Sequence, residues 1–246
     1  MTIMKRLATF IVAFVATLGA TAQISDDILD SLVNDVQHGK AVSNVEMAEI
    51  DESTAYHRLL AVGDDMLEAI GPRLYNYACT NGYSIFTEIW QGSTVESWAY
   101  TTELPRLIKK LNPTYVIICL GTNDLTQGNP TGKAAAVAEI IREIGDVPLV
   151  WIGPLEMKSL QKDPGVTDML RQQVGANRFF NSYNLRVARE DEVRPTAEGG
   201  ARWMDEVAKW MSSLEVAAPI KMDIPTASLP FKKFVLRKNN YQGKRK

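Results

Sequence analysis

The stretch LAVGDDMLEAIG, residues 60–71, has the pattern of a β-strand that turns directly into an α-helix. Residues 60–62 are apolar, and Gly63 allows the chain to turn sharply. Met66 and Ile70, four residues apart, then begin an apolar pattern with helical spacing. The stretch therefore predicts a strand–helix unit, which is the element that builds α/β proteins.

The same alternation continues along the chain. Predicted strands cover residues 57–62, 83–90, 114–121, 147–153 and 178–183, and predicted helices cover 66–79, 96–111, 133–144, 167–174 and 197–213. Strands that alternate with helices predict a parallel sheet covered on both faces, and continuous apolar runs are typical of buried parallel strands. The expected fold class is α/β, a flavodoxin-like three-layer α/β/α sandwich with a central parallel sheet.

The first residues have the composition of a signal peptide. Residues 1–22 combine a basic start, an apolar run and the small residues ATA before Gln23. We expect cleavage there and an exported protein, periplasmic or extracellular. The apolar run is short for a membrane span, so no stable span is expected after cleavage, and an uncleaved anchor is the alternative.

The mature chain is expected to have three parts. Residues 23–55 are strongly acidic and contain a predicted helix over 24–37, residues 56–214 form the α/β domain, and residues 215–246 form a basic C-terminal tail. Charged end segments of this kind are usually solvated, and more rarely they bind partners. The net charge of −2 over 246 residues gives no indication of nucleic acid binding.

Cysteine and histidine are too few and too scattered to form a metal site. The two cysteines are Cys79 and Cys119, and the two histidines are His38 and His57. We therefore expect no metal and no cofactor. Cys119 lies in an apolar run and is expected to be a buried thiol, while a disulfide between the two cysteines stays open.

Five short motifs lie where the predicted strands end, which is where ligands bind in parallel sheets. They are VGDDM at 62–66, WQGSTVESW at 90–98, LGTNDL at 120–125, VWIGP at 150–154 and DEVRPTAEGGARW at 191–203. Their order and spacing resemble the SGNH (GDSL-type) hydrolase superfamily over roughly residues 57–213. Members of that superfamily are esterases and lipases, including many that deacetylate carbohydrates.

The resemblance implies roles for five residues. The family's Gly-Asp-Ser motif carries the nucleophile, and Asp65 stands at the serine position. Gly92 matches the glycine whose amide belongs to the oxyanion hole, and Asn123 matches the asparagine of the same hole. In the final Asp-x-x-His motif, Asp191 matches the acid, but Arg194 stands at the position of the histidine base.

The two replacements remove the nucleophile and the base. Arginine cannot accept a proton, and an acyl group on Asp65 would still need an activated water. Because a buried charge without a partner is costly, we expect Asp65 and Arg194 to form a salt bridge, with Asp191 on the far side of the guanidinium.

Alternative interpretations of these residues remain open. Asp65 and Glu68 have the spacing of a helix capping box. Arg194 precedes Pro195, which favours an extended residue that could face solvent.

The same strand ends suggest ligand contacts. The candidate ligand-binding residues are Asp64, Trp90, Ser93, Trp98 and Asp124. The two tryptophans could stack on a sugar face, although packing is the alternative.

Three functions follow from these observations. The leading hypothesis is an exported, non-catalytic pseudo-esterase that binds a carbohydrate or cell-envelope polymer or acts as a scaffold. The second is an active ester hydrolase, or a carboxylate-dependent hydrolase that uses Asp65 and Asp191. The third is a protein that binds a protein partner through its charged ends.

Overall fold

The computed structural model describes residues 57–160 and 162–237. The signal peptide, the acidic segment and its helix, all predicted within residues 1–56, lie outside the described residues. In the part that is described, no helix combines the length and the apolar character needed to cross a bilayer.

The described residues form one sheet of six parallel strands. The strands are β1 (Arg58–Gly63), β2 (Ser84–Gln91), β3 (Tyr115–Cys119), β4 (Leu149–Ile152), β5 (Phe179–Phe180) and β6 (Phe234–Arg237). Their order in the sheet is β5-β4-β3-β1-β2-β6, and every neighbouring pair is parallel. The predicted parallel α/β architecture is confirmed.

Helices cover both faces of this sheet. They are α1 (Met66–Thr80), α2 (Val95–Ala99), α3 (Glu103–Leu111), α4 (Thr122–Gln127), α5 (Pro130–Ile144), α6 (Val166–Val174) and α7 (Ala197–Met211). In β1, Leu59 and Ala61 belong to the apolar core under α1 and α7, whereas Leu60 and Val62 belong to the core under α2, α3, α5 and α6. The fold is therefore a three-layer α/β/α sandwich.

Local structure differs from the sequence expectation in the helices after β2 and β3. The predicted helix 96–111 is two helices, because the chain breaks at residues 100–102, where two successive threonines favour a new helix start. Asn112 then ends α3 in a left-handed conformation with φ 44°. The sequence did not predict the short helix α4, and α5 begins at Pro130, before the predicted start at residue 133, capped by the Asn129 side chain.

The C-terminal segment, residues 212–237, belongs to the folded domain. The expected boundary at residue 214 is too early, because Val216, Ile220 and Met222 are buried in the core beneath α1 and α7. The segment ends in β6, which extends the sheet beside β2. A basic run with only four strand residues gave no strong strand signal in the sequence.

Side chains of the domain hold this segment along its length. Tyr115 donates a hydrogen bond from its hydroxyl to the carbonyl oxygen of Ala218 at 2.9 Å. The backbone N–H of Leu229 donates to Oδ1 of Asn76 at 2.9 Å. The ring of Phe231 lies against Gly71 of α1, where an added Cβ would approach the ring to 2.4 Å. The segment therefore forms an outer wall over α1.

A buried pair of carboxyl groups lies between β2 and α3. The side chain of Glu88 is fully buried, and Nη2 of Arg106 is 3.6 Å from its Oε2. Burial raises the pKa of Glu88 to about 8, with a further contribution from the neighbouring Glu103 and an opposing one from Arg106. Glu88 therefore keeps its proton in the folded protein across most of the neutral range.

This proton makes stability depend on pH. Between about pH 4.5 and pH 8 the folded state holds the Glu88 proton and the unfolded state has lost it, so the free energy of unfolding falls as pH rises. Glu88→Gln should flatten this slope and make the protein about 1–3 kcal/mol more stable at pH 9, the usual cost of an uncompensated buried polar group. Urea unfolding of both proteins at several pH values measures their free energies of unfolding.

The matched control is Glu206→Gln, which removes an exposed glutamate of α7 and should leave the slope unchanged. If the free energy of unfolding of Glu88→Gln depended on pH as steeply as that of wild type, Glu88 would be ionised in the folded state.

Candidate functional site

Asp65 meets two hydrogen-bond donors at the carboxyl end of the sheet. The backbone N–H of Gly92 donates to Oδ2 of Asp65 at 2.8 Å, and Nδ2 of Asn123 lies 3.3 Å from the same oxygen. Nδ2 of Asn123 also donates to the carbonyl oxygen of Ser93 at 2.9 Å. The structure thus brings together three of the five residues that the motifs singled out. One carboxylate oxygen is held by the two donors that the resemblance assigns to an oxyanion hole.

Two glycines make this approach possible. Gly63 has no room for a side chain, because an added Cβ would lie 2.0 Å from the carbonyl oxygen of Cys119. The close contact lets β1 and β3 end side by side, with Asp65 and Asn123 in the two helical turns that follow. Gly92 has φ 72°, a left-handed conformation that favours glycine and turns its N–H toward Asp65.

Asp64 is a buried structural residue, which corrects its assignment as a ligand contact. Its Oδ1 accepts a hydrogen bond from the N–H of Met66 at 2.9 Å. Its Oδ2 accepts from the N–H groups of Gly121 at 3.2 Å and Thr122 at 3.0 Å. Burial raises the pKa of Asp64 to about 7, although these three hydrogen bonds act in the opposite direction. Asp64 therefore joins the ends of β1 and β3 and has no surface open to a ligand.

Asp124 is likewise structural. It is fully buried, and Oδ1 lies 2.9 Å from Nζ of Lys133 on α5. Its Oδ2 accepts a hydrogen bond from the N–H of Val95 at 3.2 Å, which joins the loop after β3 to the loop after β2. The assignment of Asp124 to ligand binding is wrong, because the residue is fully buried and its oxygens tie the turn that carries Asn123 to Val95 and to Lys133.

The tryptophans pack in the interior. Trp90 and Trp98 are almost completely buried, and their rings meet edge to face with centroids 5.4 Å apart. Nε1 of Trp98 donates to Oγ of Ser93, which is also fully buried, at 3.1 Å. The assignment of these three residues as ligand contacts is corrected, and the packing alternative holds.

The capping-box alternative for Asp65 is also wrong. The first free N–H of α1, on Met66, is satisfied by Asp64, and the Asp65 side chain makes no capping hydrogen bond. Glu68 points elsewhere, because it forms an ion pair with Lys233 of the C-terminal segment. The side chain of Asp65 is therefore used for the Gly92 and Asn123 contact alone.

Arg194 pairs with Asp191, not with Asp65. Nε of Arg194 lies 2.8 Å from Oδ2 of Asp191, and the side chains are 69% and 41% exposed. Among the described residues no ion pair joins Arg194 to Asp65, so the predicted salt bridge is wrong. The carboxylate three residues away in the same loop is nearer, and neutral donors already satisfy the inner oxygen of Asp65.

Backbone contacts fix Asp191 as an anion. Its Oδ1 accepts hydrogen bonds from the N–H groups of Arg194 at 2.7 Å and Val193 at 2.8 Å. These bonds, followed by the Arg194 side chain, lower the pKa of Asp191 to about 2. The expected contact between Asp191 and the guanidinium is present, but it belongs to the surface of one loop.

A cavity of about 650 Å³ opens beside Asp65 and Arg194. Its wall also includes seven polar residues to which the motifs gave no role in the site, namely Glu68, Arg73, Asn76, Gln91, Glu190, Thr196 and Ser228. Glu68 lies one helical turn after Asp65, and Glu190 directly precedes Asp191, so both could have been found from those positions.

The described residues contain neither a cluster of metal-ligating side chains nor a disulfide bond. No group of three or more metal-ligating side chains occurs there. Cys79 and Cys119 are both free thiols, and Cys119 is buried as expected.

Solved structures resemble this chain, whereas no family model and no curated protein sequence matches it. A protein from Desulfitobacterium hafniense assigned to the G-D-S-L lipolytic family has a TM-score of 0.51 and 12% identity, over 62% of this chain and 98% of that chain. TesA has a TM-score of 0.50 and 17% identity, over 63% and 97% respectively. At these identities the likeness establishes the fold, which is the SGNH (GDSL-type) hydrolase fold that the motifs implied.

Removal of the Asp65 carboxylate should create an anion site. In Asp65→Ala the donors of Gly92 and Asn123 lose their acceptor, and acetate can take its place. Acetate at about ten times its Kd should raise the Tm of this variant by about 3 °C and leave wild type unchanged. Asp65→Asn is the matched control, because its amide oxygen still fills the hole. An equal acetate response in wild type and Asp65→Ala would contradict the internal occupation.

Arg194→Ala should have little effect on stability. The Arg194–Asp191 pair is exposed, so we expect a Tm within about 2 °C of wild type by thermal unfolding. A fall of many degrees, as expected when a buried charge loses its partner, would instead support a pairing of Arg194 with Asp65. Arg186→Ala, which removes another exposed arginine paired with a carboxylate, that of Glu156, is the matched control.

Proposed function

We propose that this SGNH-fold protein binds a ligand beside Asp65 without hydrolysing an ester. One observation carries the proposal: a single carboxylate oxygen of Asp65 accepts the hydrogen bonds of both Gly92 and Asn123. In an ester hydrolase these donors must be available for the negative oxygen that forms in the transition state. Here the carboxylate of Asp65 already accepts hydrogen bonds from both donors.

The Asp65 carboxylate competes strongly with an ester oxygen for the hydrogen-bond donors of Gly92 and Asn123. It is attached to the chain, so it occupies the donors without the loss of translational freedom that a bound ester would have. It also lies at the amino end of α1, where the helix dipole favours a negative charge. A second negative oxygen at the same place would be repelled. The geometry therefore supports a site that is closed to acyl transfer.

The two positions that carry the base and its orienting acid in the fold family, residues 194 and 191, do not supply a general base here. Arg194 has no acceptor, and the low pKa of Asp191 makes its carboxylate a weak base. His57 lies at the start of β1, where its ring is 3.3 Å from Oγ1 of Thr114, at the opposite edge of the sheet. A hydrolase built on Asp65 and Asp191 would also need a protonated acid, and Asp191 is held ionised by its hydrogen bonds.

The proposal also includes export of the protein, and a carbohydrate or cell-envelope polymer as its ligand. The composition of residues 1–22 supports export. The cavity wall carries carboxylates, two guanidinium groups and amides such as Gln91, which suit a ligand rich in hydroxyl groups. The alternative of a protein partner bound through the basic end has less support, because Lys233 and residues 234–237 are engaged within the domain.

Hydrolysis of an acetyl ester by a series of variants tests the proposal. Wild type and Asp65→Ser should show no turnover, since the single variant regains the nucleophile but not the base. Asp65→Ser combined with Arg194→His restores the serine and the histidine beside Asp191, and we expect turnover at least about 100-fold above the single variant. Tm measurements confirm that each variant is folded.

Wild-type turnover that is lost in Asp65→Asn would overturn the proposal, because it would make Asp65 a nucleophile. The further control is Asp191→Asn in the double variant, which should remove most of the recovered turnover.

A further inference from the structure

The charged groups on the cavity wall are not balanced. Five charged side chains line it: Asp65, Glu68, Arg73, Glu190 and Arg194. Three of them have an oppositely charged partner, in the pairs Glu68–Lys233, Arg73–Asp205 and Arg194–Asp191. These pairs leave no net charge on that part of the wall.

The two remaining groups are both carboxylates. Within the described residues, neither Asp65 nor Glu190 takes part in an ion pair. Asp65 receives only neutral donors, and both act on Oδ2. No described donor makes a hydrogen bond to its Oδ1, although Asp65 is part of the cavity wall. The net charge of the wall is therefore negative and is located on Asp65 and Glu190.

We propose that the cavity selects ligands that carry a positive charge, specifically a primary ammonium group, over neutral and anionic ligands of the same shape. This inference rests on the proposed function, because it assumes that the cavity beside Asp65 is the binding site. The serine that the fold family carries at position 65 is neutral, and the donors beside it attract negative oxygen. The carboxylate at position 65 reverses the sign of the field, so the same place attracts a cation.

The geometry suits an ammonium group in particular. It has three donors and no acceptor, so it can donate to Oδ1 of Asp65 while its other donors face the carboxylate of Glu190 or water. Arg73 and Arg194 form their close ion pairs with Asp205 and Asp191, so among the described residues neither arginine forms one with Asp65 or Glu190, although the charge of Glu190 also acts on Arg194. A cavity of about 650 Å³ also has ample room for a hexose-sized molecule.

Three sugars that share one ring and differ in charge test the proposal. D-Glucosamine, D-glucose and D-glucuronate are titrated separately into the full-length protein at pH 6 and low salt, with NMR chemical shifts as the readout. We expect D-glucosamine to bind about fivefold more tightly than D-glucose, the effect of one partly exposed ion pair, and D-glucuronate to bind most weakly. Added NaCl should reduce the preference.

Two variants locate the effect. Asp65→Asn and Glu190→Gln each remove one charge and keep the side-chain shape, and each should reduce the preference for D-glucosamine about two- to fivefold. The matched control is Asp146→Asn, which removes an exposed carboxylate after α5 at the amino edge of the sheet and should leave the preference unchanged.

Equal binding of the three sugars, a preference for D-glucuronate, no binding of any of them, or an unchanged preference in Asp65→Asn would each overturn the proposal. Its failure differs from failure of the proposed function. A protein without ester turnover and without charge preference contradicts only the ligand class, whereas wild-type turnover contradicts the non-hydrolytic assignment.

Discussion

The arrangement of the site depends on the buried carboxylate of Asp64. A fully buried carboxyl group is costly unless hydrogen bonds compensate it, and here three backbone N–H groups from two chain segments offset part of that cost. The carboxylate thus fixes the turn after β1 against the turn after β3. Asp124 does the same for the turns after β3 and β2, with Lys133 as its counter-ion. Both ties lie beneath the surface that a ligand would contact.

The groups that support the turns, Asp64 and Asp124, are different from the groups that would contact a ligand. The charge of the site can therefore change while its shape is kept. Gly92 and Asn123 have supports besides residue 65, because Asn123 also donates to the carbonyl oxygen of Ser93 and Asp124 ties the two turns together. A carboxylate can therefore replace a hydroxyl at position 65 and find two donors already in place. The replacement at position 194 has little structural consequence, because Arg194 finds its partner within its own loop. The two positions are occupied independently in the structure, and no mutual charge pair holds them.

The sequence predicts the strand–helix order, the parallel sheet and the meeting of Asp65, Gly92 and Asn123. The strand–helix order and the parallel sheet follow from periodicity, whereas the meeting of the three residues follows from the resemblance of the strand-end motifs to the SGNH superfamily. The sequence does not predict which of two adjacent side chains points inward. Asp64 is fully buried whereas the adjacent Asp65 is partly exposed, and Asp124 and Asn123 differ in the same way. Only the packing of three separate loops determines which side chain of each pair is buried. The partner of Arg194 and the burial of Trp90 depend on tertiary distances in the same way. Strand β6 is missed because its pairing with β2 joins residues more than 140 positions apart.

The C-terminal segment, residues 212–237, completes both the cavity wall and the sheet. It supplies Ser228 to the cavity wall, Lys233 to Glu68 and a neighbour to the β2 edge, so these features arise from residues that leave the ribosome after the other five strands. Without this segment β2 would be an exposed parallel edge, which is a template for unwanted strand pairing. Strand β6 covers that edge. Completion of the cavity wall and protection of the sheet edge therefore depend on the same residues.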